Sequence, residues 1–161
     1  MREGQYAPAL VKVDAALAEN PRSPQARFMK AVIQTEQGKV DDALESFQSL
    51  TNEFPELPEP HNNLAAIFAQ RGDYQAARSE LELAIKANPN YATAHENLGD
   101  VYSRLAGSEY NRAAALDAAN KTTQTKLALM KDLYAILPSS AAAPAVVAPV
   151  QPKLPAPLRK K

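Results

Sequence analysis

Apolar side chains recur along this chain at intervals of three and four, the spacing that places them on one face of a helix. Tyr6, Leu10, Val13 and Leu17 form such a stripe and predict a helix over 5–19, with Pro8 in its first turn, where no intrahelical hydrogen bond is lost. Similar stripes predict helices near 24–37, 40–53, 58–71 and 74–87. Gly38 and Gly72 separate the members of each pair, and Pro55, Pro58 and Pro60 separate one pair from the next. Glycine accepts the left-handed backbone that ends a helix, and proline disfavours helix in the residue before it. Asp41 and Asp42 open the 40–53 helix, where negative charge suits the exposed amides. Farther on, Ala113, Leu116, Asn120, Thr123, Leu127, Met130, Tyr134 and Leu137 keep strict 3,4 spacing. They predict a helical seam of about thirty residues, either one extended helix or two hinged near the polar Asn120.

The stripes are copies of one another. Moving the unit Pro58–Tyr91 back by 34 places sets Gly72 over Gly38, Tyr74 over Val40, Ala77 over Ala43, Leu81 over Phe47 and Pro89 over Pro55. A further shift brings Gly4, Tyr6, Ala9, Val13 and Pro21 to the same places. This period and these residue types resemble the tetratricopeptide repeat, a helix–turn–helix unit with small residues where its helices cross and proline after the second helix. The resemblance implies an all-α solenoid of antiparallel helix pairs. Ala31 and Ala43, then Ala65 and Ala77, take the crossing positions, and Leu64, Phe68, Leu81, Ala84 and Ile85 are expected to fill the core around the second pair. The third unit keeps His95, Leu98, Gly99 and Tyr102 in register but has Ala106 where the glycine belongs, with Gly107 one place late.

The domain organisation expected from this is a solenoid over 1–137. It comprises a partial repeat at 1–23, repeats at 24–57 and 58–91, a divergent repeat at 92–120, and a capping helix at 121–137 that covers the last repeat. Residues 138–161 hold six prolines and six alanines and predict a disordered or polyproline-II-like tail. In this register Met1 falls at position twelve, so the first unit lacks nearly all of its first helix. The expectation is that more protein lies upstream in the natural product. The stretches LPEPHNNLA and ATAHENLGDVYSRLA resemble short exported tetratricopeptide proteins of proteobacteria. That resemblance implies a bacterial, periplasmic or otherwise exported protein if an upstream signal peptide was removed, and a cytoplasmic one if not.

Composition narrows the chemistry. The chain has 18 basic and 18 acidic residues, but Lys153, Arg159, Lys160 and Lys161 lie in the acid-free tail, leaving 14 basic and 18 acidic groups, a net of −4, on the body. A mildly acidic body argues against nucleic acid as a partner, and no apolar run reaches the length of a membrane span. With no cysteine, disulfides and thiol chemistry are excluded. There is no phosphate loop and no nucleophile elbow, so neither an enzyme nor a cofactor is implied. His61 and His95 stand one repeat apart and could begin a metal site with Glu59 or Glu96, but the ligand set is incomplete and both fall at packing positions, so no metal is expected.

The resemblance also implies where a ligand would lie. In this family the first helices line a concave groove and can hold an extended or helical segment of a partner protein. The corresponding residues are Phe28 and Val32 in the first full unit, Asn62, Asn63, Ala66 and Gln70 in the second, and Glu96, Asn97, Asp100 and Arg104 in the third. Asn63 and Asn97 match an asparagine that can hydrogen-bond a bound peptide's backbone. Members that bind a C-terminal carboxylate do so with basic residues on these helices. Here Phe28, Asn62 and Glu96 stand at one such position and Val32, Ala66 and Asp100 at the other. An acidic C-terminal peptide is therefore not the expected ligand, and a basic or apolar segment is. Self-association through helix 5–19 or the tail is the alternative expectation.

Overall fold

Seven helices follow one another among the described residues, with no strand between them: α1 (Glu3–Glu19), α2 (Pro24–Glu36), α3 (Val40–Glu53), α4 (Pro58–Gln70), α5 (Tyr74–Ala87), α6 (Ala92–Leu116) and α7 (Lys121–Ile136). This computed structural model describes residues 3–136, and side chains from Tyr6 onward; Leu137 and the tail 138–161 lie outside the described residues. Local chemistry sets the starts. Ser23 Oγ accepts the Ala26 amide before α2, and Asp73 Oδ1 accepts the Ala76 amide before α5, each satisfying a donor the helix cannot. Pro24 and Pro58 stand at the first positions of α2 and α4, where their missing N–H costs nothing. After α2 and α4 the chain reverses at Gly38 and Gly72, with φ of 76° and 79°. A side chain in that conformation costs about 1–2 kcal/mol.

The reversal folds α3 onto α2 and α5 onto α4. Ala31 and Ala43 are each 0% exposed, and Ala65 and Ala77 are 2% and 0% exposed, as crossing positions require. Around the first crossing Phe28 meets Phe47 edge-on, ring centroids 5.7 Å apart, with Leu50, Leu64 and Ile67 closing the cluster. The second cluster joins Leu81, Ala84, Tyr91, Ala94 and Val101 to Ala65 and Ala77, with Phe68 and Ile85 packed against it. Each helix packs chiefly on its neighbours in sequence, and α4 with α6 is the main exception among the described residues. That is the organisation of a solenoid.

At the two ends the structure departs from the expected elements. α1 begins at Glu3, which puts Pro8 in its second turn rather than its first. Val13 is buried, while Tyr6, Leu10 and Leu17 are half-buried. The Tyr6 hydroxyl donates to Glu36 Oε2 at 3.1 Å, tying α1 to the end of α2. At the other end α6 is unbroken for 25 residues. With Ala106 in place of the glycine, no residue there takes a positive φ, and Gly107 is helical and buried. The helix therefore carries its second half away from its first instead of folding back. Beyond its own stretch of helix backbone, no heavy atom among the described residues stands within 4 Å of where a Gly99 β-carbon would be, and Tyr102 and Leu116 are 48% and 90% exposed.

The chain turns only at residues 117–120. Asp117 Oδ1 accepts the Ala119 amide, and Asn120 Oδ1 caps α7 by accepting the Thr123 amide. The seam predicted over 113–137 is thus divided between two helices at the polar point, with Leu116 exposed on α6 and Thr123 buried on α7. α7 returns antiparallel along the second half of α6. Lys126 Nζ lies 5.0 Å from the Tyr110 ring centroid, and the Arg104 guanidinium lies 4.3 Å over the Tyr134 ring. The Tyr134 hydroxyl donates to the Ser103 carbonyl at 2.9 Å. A β-carbon on Gly107 would collide with that hydroxyl. Gly107→Ala should displace Tyr134 at the loss of a hydrogen bond worth about 1 kcal/mol, while gaining about as much in helix propensity. Global stability should therefore hardly move, whereas amide exchange in α7, followed by NMR, should accelerate.

Candidate functional site

α2, α4 and α6 present successive first helices to one face, and α7 walls its far end through Tyr134. The ten residues expected on this face fall into three groups. Phe28, Asn62 and Asn63 are 3%, 0% and 1% exposed, so they lie beneath the surface rather than on it. Phe28 is spent in the first core cluster against Phe47, so of the two apolar residues expected at that end of the face only Val32 stays partly open. Asn63 Nδ2 donates to the Glu59 carbonyl one turn earlier in its own helix, so it is not poised toward a peptide. Val32, Ala66, Gln70, Asn97, Asp100 and Arg104 are half-buried, and Glu96 is exposed.

Two side-chain contacts shape this face that the sequence pattern did not suggest. Asn97 Nδ2 donates to Asn62 Oδ1 at 2.8 Å, joining α6 to α4 across one repeat. A ladder of asparagines at neighbouring positions was the available signal, but the expectation assigned both to a ligand. Asn62 Nδ2 is buried with no partner among the described residues. The other contact is the Arg104–Tyr134 stack, which engages the basic residue nearest Asp100 on α6.

The charge on this face is mainly acidic. Glu96, Asp100 and Arg104 follow one another at one-turn intervals on α6, with Glu59 in the first turn of α4. Burial, and then the neighbouring Glu96 carboxylate, push the Asp100 carboxyl above its ordinary range, while Arg104 pulls it back. Among the described residues, Glu59, Glu96 and Asp100 take part in no ion pair. A basic or neutral polar segment complements such a face and an anionic one does not.

The histidines separate. His61 is buried, its Nδ1 2.7 Å from Glu80 Oε2 and its Nε2 3.3 Å from the Pro55 carbonyl oxygen, so its ring pins α4 to α5 and to the preceding loop. His95 makes the equivalent Nε2 contact to the Pro89 carbonyl at 3.0 Å but is exposed, against the expectation of a packing role. The reason is the continuous α6: no second helix returns to cover that side. Among the described residues, no group of three or more His, Cys, Asp or Glu could hold a metal ion, and no helix is long and apolar enough to cross a membrane.

A family model described as tetratricopeptide repeat matches residues 1–67, and one described as TPR repeat matches residues 65–105. The chain is a tetratricopeptide-repeat protein. It is 32% identical over 87 residues to the tetratricopeptide repeat and J domain-containing co-chaperone DNJ1 of Fusarium oxysporum f. sp. lycopersici, covering 54% of this chain and 17% of that protein. Photosystem I assembly protein Ycf3 of Cyanophora paradoxa is 33% identical over 85 residues, covering 51% of this chain and 49% of that one. This tetratricopeptide protein thus spans half or less of the curated relatives it matches. Among solved structures, the thermophilic TPR protein TTC0263 of Thermus thermophilus superposes with a TM-score of 0.58 at 28% identity, covering 81% of this chain and 75% of that one. The first TPR of Spaghetti (RPAP3) bound to HSP90 peptide SRMEEVD shares the fold, with a TM-score of 0.51 at 22% identity, covering 71% of this chain and 94% of that one.

Tyr91, just before α6, backs this face, and its hydroxyl is buried without a partner among the described residues. Burial, and then the Glu59 carboxylate, push that hydroxyl up to about 12. The unfolded chain releases its proton near the ordinary value of about 10 while the folded chain retains it, so stability should fall as pH rises between the two. Tyr91→Phe should flatten that fall in urea-unfolding curves and, by removing an unsatisfied hydroxyl, leave stability at pH 7 unchanged or higher by about 1 kcal/mol.

Proposed function

We propose that this tetratricopeptide protein is a non-catalytic scaffold that holds a segment of another protein on the face formed by α2, α4 and α6. Family membership supports protein binding, and the Spaghetti TPR was solved bound to a peptide. The observation that carries the reading for this chain is the row Ala66, Gln70, Asn97, Asp100 and Glu96. These residues are partly or fully open, Asn97 among them is hydrogen-bonded to Asn62, and two of them are carboxylates with no ion-pair partner among the described residues. A ligand that satisfies them supplies hydrogen-bond donors and positive charge along an extended or helical segment. The face has no basic cluster with which to clamp an acidic C-terminus, so the ligand class differs from SRMEEVD.

Fluorescence polarisation with an array of labelled peptides, basic, neutral and ending in acidic residues, tests this. Basic segments should bind best and acidic C-terminal ones not at all. The double change Glu96→Lys with Asp100→Lys should weaken basic-peptide binding at least tenfold while shifting unfolding by no more than about 1 kcal/mol, since exposed and half-exposed charges contribute little to stability. Preference for acidic peptides, or binding indifferent to the double change, would remove the proposal.

A further inference from the structure

The third unit has, among the described residues, a first helix and no second one folded back against it. On α4, His61, Ala65 and Phe68 lie against α5. Moved by 34 places they become His95, Gly99 and Tyr102 on α6, and all three are exposed. α7 docks farther along, at Ser103, Gly107 and Tyr110. The surface that α5 covers on α4 is therefore open on the first half of α6.

The other two units show what covers such a surface. α3 turns Ala43, Ser46 and Leu50 toward α2, and α5 turns the same positions, Ala77, Glu80 and Ala84, toward α4. Ser46 donates to Gln34 on α2 at 2.8 Å, and Glu80 meets His61 on α4 at 2.7 Å. Ala43, Leu50, Ala77 and Ala84 are each 0% exposed. α1 carries this face again, at Ala9, Lys12 and Ala16. It packs on α2 as α3 packs on α4 and α5 on α6, with Val13 buried. Yet Ala16 is exposed and Ala9 only half-buried. The burial missing at Ala16 is the share that α2 gives to Leu50 and α4 gives to Ala84.

The two open surfaces match in size and chemistry. Ala9 and Gly99 hold the crossing positions, so the backbones can approach closely. Lys12 stands where Glu80 faces His61 and where Ser46 faces Gln34, which sets it against His95 and Tyr102. The His95 Nε2 donates to the Pro89 carbonyl, so in the neutral ring Nδ1 is an acceptor for an ammonium, and a tyrosine ring face attracts one.

We propose that the first half of α6 is the docking site for α1 of a second copy of this chain, which lies on it as α5 lies on α4. The two surfaces differ, so the contact is heterologous and joins copies head to tail. It continues the solenoid past the point where α6 fails to fold back, and it is independent of the peptide-binding reading above.

Sedimentation velocity of the 161-residue chain over a concentration series should show masses above the monomer that rise with concentration. Ala16→Arg and Gly99→Arg alter exposed positions, so circular dichroism should show the fold kept. Each should weaken association about tenfold or more, because the arginine would be buried in the contact without a partner. Mixed in equal amounts, the two variants should form a 1:1 dimer that grows no further, since each keeps the surface the other has lost. Lys12→Glu should weaken association as well, and it keeps the α1 side testable if Ala16→Arg disturbs that helix. A chain that is monomeric at every concentration, association indifferent to these changes, or a mixture that stays monomeric would overturn the proposal. So would an Ala16→Arg chain that still dimerises while Gly99→Arg does not, the mark of a symmetric contact between two α6 helices.

Discussion

The close approach of small side chains where paired helices cross is the contact on which the rest of this solenoid depends. Ala31 against α3 and Ala65 against α5 are essentially sealed, as are their opposite numbers Ala43 and Ala77. Alanine there lets two backbones come near enough for Phe47, Leu50, Leu64 and Leu81 to pack the flanks. The crossing also orients the first helix of each pair, so the inner-face residues of α2 and α4 inherit their direction from it. Where the crossing fails to form, at Gly99, the architecture changes. α6 runs on, α7 replaces the missing second helix, and His95 and Tyr102 are left in solvent.

Much of this was legible in the chain. The 34-residue period, the glycines that turn left-handed and the prolines that open α2 and α4 each act through local backbone chemistry, which a sequence displays directly. The continuity of α6 was only half legible. The glycine was displaced by one residue, but whether a displaced glycine turns or stays helical depends on what packs over it, and Tyr134 does so from 27 positions away. The inner face was least legible. Repeat position gives a side chain's direction along its own helix, whereas burial also depends on how closely the next helix approaches. Phe28 went to the core for that reason, and Asn62 was sealed by its bond to Asn97.

The two ends of the inner face differ in consequence. Toward α2 it offers half-buried Val32 and a Glu36 already engaged by Tyr6, so little polar valence is free there. Toward α6 it offers Glu96 and Asp100, with Arg104 drawn aside onto the Tyr134 ring. Burial, and then Glu96, raise the Asp100 carboxyl, while Arg104, lying over the Tyr134 ring, pulls it down. Fold and electrostatics meet at this point: Arg104 both packs on the terminal helix and offsets part of the Glu96 repulsion felt by Asp100.

The crossing is closed in the second unit and open in the third. Urea unfolding of the full chain carrying Ala65→Leu or Gly99→Leu, the same repeat position in the two units, measures this most directly. Ala65→Leu should lose about 1–3 kcal/mol by overpacking, whereas Gly99→Leu should be neutral or stabilised by up to about 1 kcal/mol through helix propensity. Equal losses at both positions, or an undamaged Ala65→Leu chain, would contradict it.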